Sequence, residues 1–156
     1  MSRGKFNNKI LAVFTPPKTW VLERTLSFQP DVQIIDDIKV LHKIGVNVSA
    51  TGRISCHKGM KTDLASVPRA CWAILSPWDV ARPAVIHDHL YSSLRKYYDS
   101  EGMDKKLWKR ARAIADGIFL AGMHSADPPV PKSKIYAAYY AVRAFGRWPA
   151  SKKEAQ

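Results

Sequence analysis

The chain has 156 residues, the size of one ordinary domain and enough to enclose a hydrophobic core. Hydrophobic residues make up 46% and charged residues 24%, which is typical of a globular protein and excludes a disordered one. No apolar run approaches the roughly 20 residues of a membrane-spanning helix. The apolar stretch at residues 10–14 is also too short for a signal peptide, so we expect no membrane span and no signal-peptide export.

The formal net charge of +12 favours polyanionic neighbours. Nucleic acid, an anionic envelope polymer and an acidic face of a partner protein all fit this charge. The basic residues are dispersed along the sequence, and no basic stripe interleaved with aromatic residues stands out. Charge alone therefore leaves the class of partner open.

Residues 1–65 are predicted to form a β-rich region. Residues 19–28 alternate apolar and polar side chains in part, and residues 38–55 are rich in β-branched residues around Gly45 and Gly52. Both patterns indicate short antiparallel strands and turns.

Helical periodicity begins near Ser66, which is predicted to cap a short helix with Pro68 in its first turn. Ser76–Pro77 is predicted to end that helix. Pro83 is predicted to open a second helix that continues to about Tyr98.

A third helix is predicted from about Met103 to His124, and a fourth from Lys132 to Trp148. The break between them is Asp127–Pro128–Pro129. The predicted fold is α+β: a small N-terminal antiparallel β region packs against about four C-terminal helices. We expect one domain over residues 1–156, which is β-rich over 1–65, helical over 66–148 and ends in a polar tail at 149–156.

The two cysteines are interpreted as structural. Cys56 and Cys71 are too few for a disulfide scaffold and lack CxxC spacing. Cys71 lies in an apolar segment. Cys56 neighbours His57, but adjacent side chains on a strand point to opposite faces and make a poor nucleophile–base pair.

The best candidates for chemistry are His87 and Asp88, inside an otherwise apolar helical segment. His87 and Tyr91 are four residues apart and therefore share a helical face, whereas Asp88 is rotated by about 100°. Asp116 is a lone acid among apolar residues, so we expect it to be buried and paired. A polar loop with Asp63, Ser66 and Arg69 precedes these residues, and we group it with Tyr91 as a polar network.

The chain resembles domain-of-unknown-function family 1353 (DUF1353), small proteins that tailed phages and prophages encode. Three blocks carry the resemblance, in this order: TDLASVPR at Thr62–Arg69, AVIHDHLY at Ala84–Tyr91, and ADGIFLAGM at Ala115–Met123 followed by YYAVRAFG at Tyr139–Gly146. The resemblance covers about Trp20 to Trp148. The lead into the first block, Cys56–Met60, departs from the usual small apolar pattern.

The resemblance implies a phage context without fixing an activity. The main hypothesis is a virion-associated protein, such as a tail, neck or baseplate accessory subunit that binds other phage structural proteins. It would reside in the virion, and in the host cytoplasm during assembly. In this case Asp63 and Asp88 are expected to cap helix starts or pair with Arg69, and His87 and Tyr91 to form hydrogen bonds across the helix–loop interface.

The first alternative is a hydrolase that acts on the host cell envelope, peptidoglycan in particular. Its catalytic residues would be His87, Asp88 and Asp116. If a divalent metal is its cofactor, Asp63, His87 and Asp116 are the expected ligands, and zinc, manganese and calcium all suit that set. The sequence leaves open whether the protein is an enzyme.

Two known sites are similar to this pattern, and each lacks a feature here. His-Asp-x-x-Tyr is similar to the helix of secreted phospholipases A2, but their flanking cysteines and glycine-rich calcium loop are missing. The order His57, His87, Asp88, Asp116 is similar to metal-dependent HD phosphohydrolases, but His57 lies in the β-rich part. A second alternative, based on net charge, is a nucleic-acid-binding accessory protein.

Overall fold

Short antiparallel strands form the N-terminal part of the computed structural model, which describes residues 2–63, 67, 69–73, 75 and 77–151. One three-stranded sheet consists of Gly4–Phe6 (β1), Leu26–Pro30 (β4) and Ile54–Cys56 (β5), with β4 in the middle. Phe28 of β4 lies opposite Phe6 on one side and Ile54 on the other. All three side chains are buried, so one face of this sheet contributes to the core.

A second three-stranded sheet carries a hairpin. It consists of Ala12–Thr15 (β2), Thr19–Leu22 (β3) and Lys61–Thr62 (β6), with β3 in the middle. Trp20 lies opposite Phe14 and Thr62, and side chains of opposed residues share a face of a sheet. Leu22 is buried at the base of the hairpin, whereas Phe14 and Trp20 are exposed near its tip.

Residues 38–55, which were predicted to form short strands and turns, are only partly extended. Its start belongs to a helix, Ile35–Lys43 (α1), which buries Val40 and Leu41. Acidic residues in the first turn and basic residues in the last turn complement the helix dipole. The β-branched residues of this segment concealed that pattern, and only β5 and a bridge between Val48 and Ile54 are extended.

The prediction that Pro83 opens a helix was wrong. After a single turn at Arg69–Trp72 (α2), the long helix Pro77–Tyr98 (α3) begins six residues before Pro83 and passes through it. A proline inside a helix costs roughly 3 kcal/mol. Val80 and Ala84 are fully buried on either side of Pro83, and their packing offsets that cost.

The remaining helices are Lys105–His124 (α4), Lys132–Phe145 (α5) and Arg147–Ser151 (α6). Asp104 caps α4, because its carboxylate accepts hydrogen bonds from two backbone N–H groups of the first turn. The predicted fourth helix is divided at Gly146 into α5 and α6, and Phe145 at the end of α5 is exposed. Ala150 of the predicted polar tail is buried in α6.

Helix α3 is the centre of the molecule. Its Ile86, Leu90 and Leu94 pack with the buried residues of β4 and β5 in one hydrophobic cluster. Its Val80 and Ala84 pack with buried residues of α4 and α5 in a second cluster. Within the described residues, no helix has the length and apolar character that crossing a membrane requires.

Candidate functional site

A group of polar side chains lies at the centre of the helical layer, and three adjacent helices, α3, α4 and α5, contribute to it. α3 contributes His87 and Tyr91, which lie on one face because they are four residues apart. α4 contributes Asp116. All three side chains are fully buried, with relative exposures of 0%. The burial of Asp116 that its apolar neighbours predict is therefore observed.

Asp116 joins the two residues of α3 through one of its oxygens. The Nε2 atom of His87 lies 2.8 Å from Asp116 Oδ1. The Tyr91 hydroxyl donates to the same Oδ1 atom at 2.7 Å. Hydrogen bonds to a carboxylate are among the stronger ones in proteins, so these two contacts fix α3 against α4.

The second oxygen of Asp116 faces two arginines that the sequence pattern did not predict as part of the site. Arg143 of α5 donates from Nη1 to Asp116 Oδ2 at 2.7 Å, and Arg112 Nη1 lies 3.7 Å from the same atom. Arg112 also donates to the backbone carbonyls of Val142 and Arg143. The four-residue spacing of Arg112 and Asp116 indicates in the sequence that the two side chains can form an ion pair on one helix. The contact with Arg143 depends instead on how α4 packs on α5.

Aromatic rings surround His87. Its ring centroid lies 4.1 Å from that of Tyr91 and 4.7 Å from that of Phe119. Burial, followed by the nearby charge of Asp116, raises the pKa of Tyr91 above its ordinary range. The Tyr91 hydroxyl therefore stays protonated and remains a donor to Asp116.

We call the five residues His87, Tyr91, Arg112, Asp116 and Arg143 the Asp116 network. Its chemistry is that of a carboxylate whose two oxygens both face donors. A His–Asp pair acts as a general base only when a substrate proton reaches the imidazole. Here the imidazole is fully buried. The arrangement is suited to linking three helices.

Asp88 takes part in a different contact, as expected from its rotation around the helix. Its Oδ2 atom accepts a hydrogen bond from the Thr62 hydroxyl at 2.6 Å, and both side chains are buried. Burial, and to a lesser extent the charge of Asp88, raises the pKa of Cys56 to about 12. Burial also raises the pKa of Cys71. Both thiols are therefore poor nucleophiles, in agreement with their predicted structural role.

The polar loop is only partly described. Asp63 follows β6 and is exposed. Ser66 lies outside the described residues, and so does the side chain of Arg69, whose backbone begins α2. The predicted contacts of Ser66 and Arg69 with the network therefore stay predictions.

The structure gives no support to a metal centre in its described part. No group of three or more His, Cys, Asp or Glu side chains there is placed to hold an ion. His87 and Asp116 lie together, but both oxygens of Asp116 already face donors. His57 of the HD-like order lies after β5, beside Asn47. The metal set of Asp63, His87 and Asp116 stays a prediction.

A groove of about 750 Å³ lies away from the network, between α1 and α4. Ile34, Ile38, Ile114 and Ile118 contribute to its apolar lining. None of the five residues of the Asp116 network lines it. A ligand of this groove would therefore not contact His87.

Comparison with known proteins gives a single finding. A family model described as "Protein of unknown function (DUF1353)" matches residues 38–142. No curated protein and no solved structure gives a significant match. The matched range contains α3, α4 and most of α5. It includes the sequence blocks Thr62–Arg69, Ala84–Tyr91 and Ala115–Met123 in full, and the first four residues of Tyr139–Gly146. The chain belongs to the DUF1353 family.

Proposed function

We propose that this protein is a virion-associated structural subunit of a tailed phage that binds other phage structural proteins. The observation that carries the proposal is the state of the Asp116 network. Its carboxylate and imidazole are fully buried, and they connect α3, α4 and α5. The phage context rests on the family resemblance.

The burial of the network favours a structural role on energetic grounds. An isolated buried carboxylate is very costly, and pairing it with arginine and hydrogen-bond donors removes most of that cost. Arg112 adds two backbone carbonyls at the end of α5 to the same set of contacts. The network therefore provides hydrogen-bond partners on each of the three helices that it connects. A hydrolase that used His87 would need the imidazole to be accessible to its substrate.

The β2–β3 hairpin provides a surface for a protein partner. We call Phe14 and Trp20, which are paired across the hairpin and share one of its faces, the hairpin patch. Their relative exposures are 45% and 39%, although both are large aromatic residues. The rings of Phe14 and Trp20 lie 4.8 Å apart, so the patch is already ordered. Clustered exposed aromatic residues are typical of protein interfaces.

The proposal is tested by incorporation of hairpin variants into particles of the phage that encodes this chain. The double variant Phe14→Ala/Trp20→Ala should reduce the amount in purified particles about tenfold or more, because aromatic anchors dominate interface energies. The matched control is Val32→Ala/Ile35→Ala, which removes two residues exposed by 73% and 69% at another site. Quantitative immunoblots should show the control within about twofold of the wild type. Equal incorporation of both double variants would contradict the proposal.

The hydrolase remains a second candidate, because His87 and Asp116 lie in hydrogen-bonding geometry. It predicts that the purified protein releases soluble fragments from peptidoglycan and that His87→Gln abolishes the release. Our proposal predicts no release by either protein and a lower unfolding free energy for the variant. Release by the wild type that is lost in a folded His87→Gln variant would favour the hydrolase.

A further inference from the structure

The end of the helical region has an unusual charge distribution. From residue 128 to residue 153 the sequence contains no Asp or Glu. The described basic residues in this range are Lys132, Lys134, Arg143 and Arg147. Arg143 is paired with Asp116, whereas the other three side chains are exposed. The positive charge on this part of the surface is therefore not neutralised by any Asp or Glu within the same segment.

Helices α5 and α6 form a nearly continuous surface. Gly146 between them keeps right-handed helical geometry, with φ −67° and ψ −7°. Its N–H donates to the carbonyl of Val142, and its own carbonyl accepts from the N–H of Ala150. Residues on the two helices therefore follow one helical progression of about 100° per residue.

Aromatic residues follow one side of this progression. Tyr136, Tyr140 and Arg147 are separated by four and seven residues, which places them on the same side. Trp148 adjoins them. Tyr140 is 65% exposed and Trp148 is 73% exposed. The rings of Tyr136 and Tyr140 lie 6.3 Å apart, close enough to form an aromatic row.

We propose that this surface binds single-stranded nucleic acid. We call it the C-terminal face and define it by five residues: Lys132, Tyr136, Tyr140, Arg147 and Trp148. Proteins that bind single strands combine positive charge along the backbone path with aromatic side chains on which bases stack. The C-terminal face has both features. Its lysine and arginine would contact phosphates, and Tyr140 and Trp148 would stack on bases.

The charge and the aromatic residues together favour this occupant over two others. A second copy of the chain would bring the same positive charge to the interface, and like charges repel. A duplex would satisfy the basic residues, but its paired bases cannot stack on exposed rings. An acidic protein would fit the charge, although lysine is depleted at protein interfaces.

The binding test uses fluorescence anisotropy of a labelled deoxythymidine oligomer of about 20 nucleotides. The wild type should bind it more tightly than a duplex of the same length, with an affinity that falls as salt rises. Tyr140→Ala/Trp148→Ala should weaken binding about tenfold or more, because each stacked base contributes substantially. The slope of the salt dependence should stay the same, since no phosphate contact is removed.

A charge variant and its control complete the test. Lys132→Gln/Arg147→Gln should weaken binding and lower the salt slope by about 1.4, since each phosphate contact on a single strand contributes about 0.7. Lys39→Gln/Lys43→Gln removes the same charge from exposed positions outside the C-terminal face and should change the affinity less than threefold. An equal loss in both double charge variants would overturn the proposal. So would tighter binding of the duplex, or displacement of the oligomer by polyglutamate as readily as by unlabelled oligomer.

Discussion

Asp116 is the residue on which the contacts among three helices converge. It accepts hydrogen bonds from His87 and Tyr91 of α3 and from Arg143 of α5, and Arg112 of its own helix lies 3.7 Å away. A carboxylate at 0% exposure is stable only with such partners. Removal of its charge would leave two arginines without their counter-charge.

Asp116→Asn tests how much the charge of this residue contributes to the free energy of unfolding. The substitution keeps the shape of the side chain and removes its charge, so we expect the unfolding free energy to fall by about 3 kcal/mol. Urea denaturation followed by circular dichroism gives that value. The control is Asp37→Asn, which neutralises a carboxylate that is 29% exposed and lies 3.6 Å from Arg110, and it should cost less than about 1 kcal/mol. Similar losses in the two variants would contradict a structural role of Asp116.

His89 should make stability depend on pH. Burial, followed by the charges of Lys96 and His57, lowers the pKa of His89 from 6.5 to about 4. Between these values the unfolded chain binds a proton that the folded chain does not bind. The unfolding free energy should therefore fall as the pH falls from about 6.5 to about 4, by up to about 3 kcal/mol from this residue.

The measurement is urea denaturation at several pH values for the wild type and for His89→Gln. The variant lacks the titrating imidazole, so its stability should depend less on pH over that interval. Parallel curves for the two proteins would show that His89 does not carry this dependence.

The residues of the site differ in how far the sequence could predict them. The shared face of His87 and Tyr91 follows from their spacing, and the burial of Asp116 follows from its apolar neighbours. Arg143 is 27 residues from Asp116 in sequence, and its contact is created only when α5 packs on α4. Local periodicity carries no information about such a partner.

At the scale of elements, Gly146 marks the place where α5, α6 and α3 meet. A Cβ added there would overlap the Tyr91 hydroxyl and the Val142 carbonyl oxygen. The backbone is already in right-handed helical geometry, so this glycine is required for space and not for its conformational freedom. The position thereby keeps the Tyr91 hydroxyl close to α5.

Gly146→Ala should therefore destabilise the protein by about 2 kcal/mol, because overpacking outweighs the higher helix propensity of alanine. Gly117→Ala in α4 is the matched control. An added Cβ at Gly117 meets nothing within 4 Å, so that variant should gain up to about 1 kcal/mol. Thermal or urea unfolding of both variants measures the difference. A stabilising Gly146→Ala would contradict the close approach of Tyr91.

The elements that the sequence predicted best are the long helices with a regular apolar stripe. α4 and α5 begin within two residues of their predicted starts, because caps and prolines mark them. α1 was missed, since β-branched residues dominate its apolar positions. The start of α3 was predicted at Pro83, which is too late in the sequence. The packing of Val80 and Ala84 that extends the helix is a tertiary effect, and no local sequence signal indicates it.

For the whole molecule, a buried interior is combined with two exposed surfaces that carry aromatic residues. The Asp116 network and the two hydrophobic clusters occupy the interior. The hairpin patch and the C-terminal face lie on separate elements, and the chain as a whole has a net charge of +12. The two proposed binding surfaces would suit a subunit that connects other components.

Sequence periodicity predicted the interior of this molecule better than its surface. Trp108 of α4 is buried, whereas Tyr140 of α5, an equally apolar position in the sequence, is 65% exposed. A helix with a narrow buried stripe leaves apolar residues outside, and the sequence does not show how wide that stripe is. The exposed position of Tyr140 therefore became visible only in the folded chain.

The proposed function requires that a phage encodes this chain, and its most direct test is quantitative mass spectrometry of purified particles of that phage. The account predicts a constant number of copies per particle that survives washing with high salt. It also predicts that particles lacking the protein show an assembly or attachment defect. Abundant protein in the infected cell together with none in the particles would contradict the central claim.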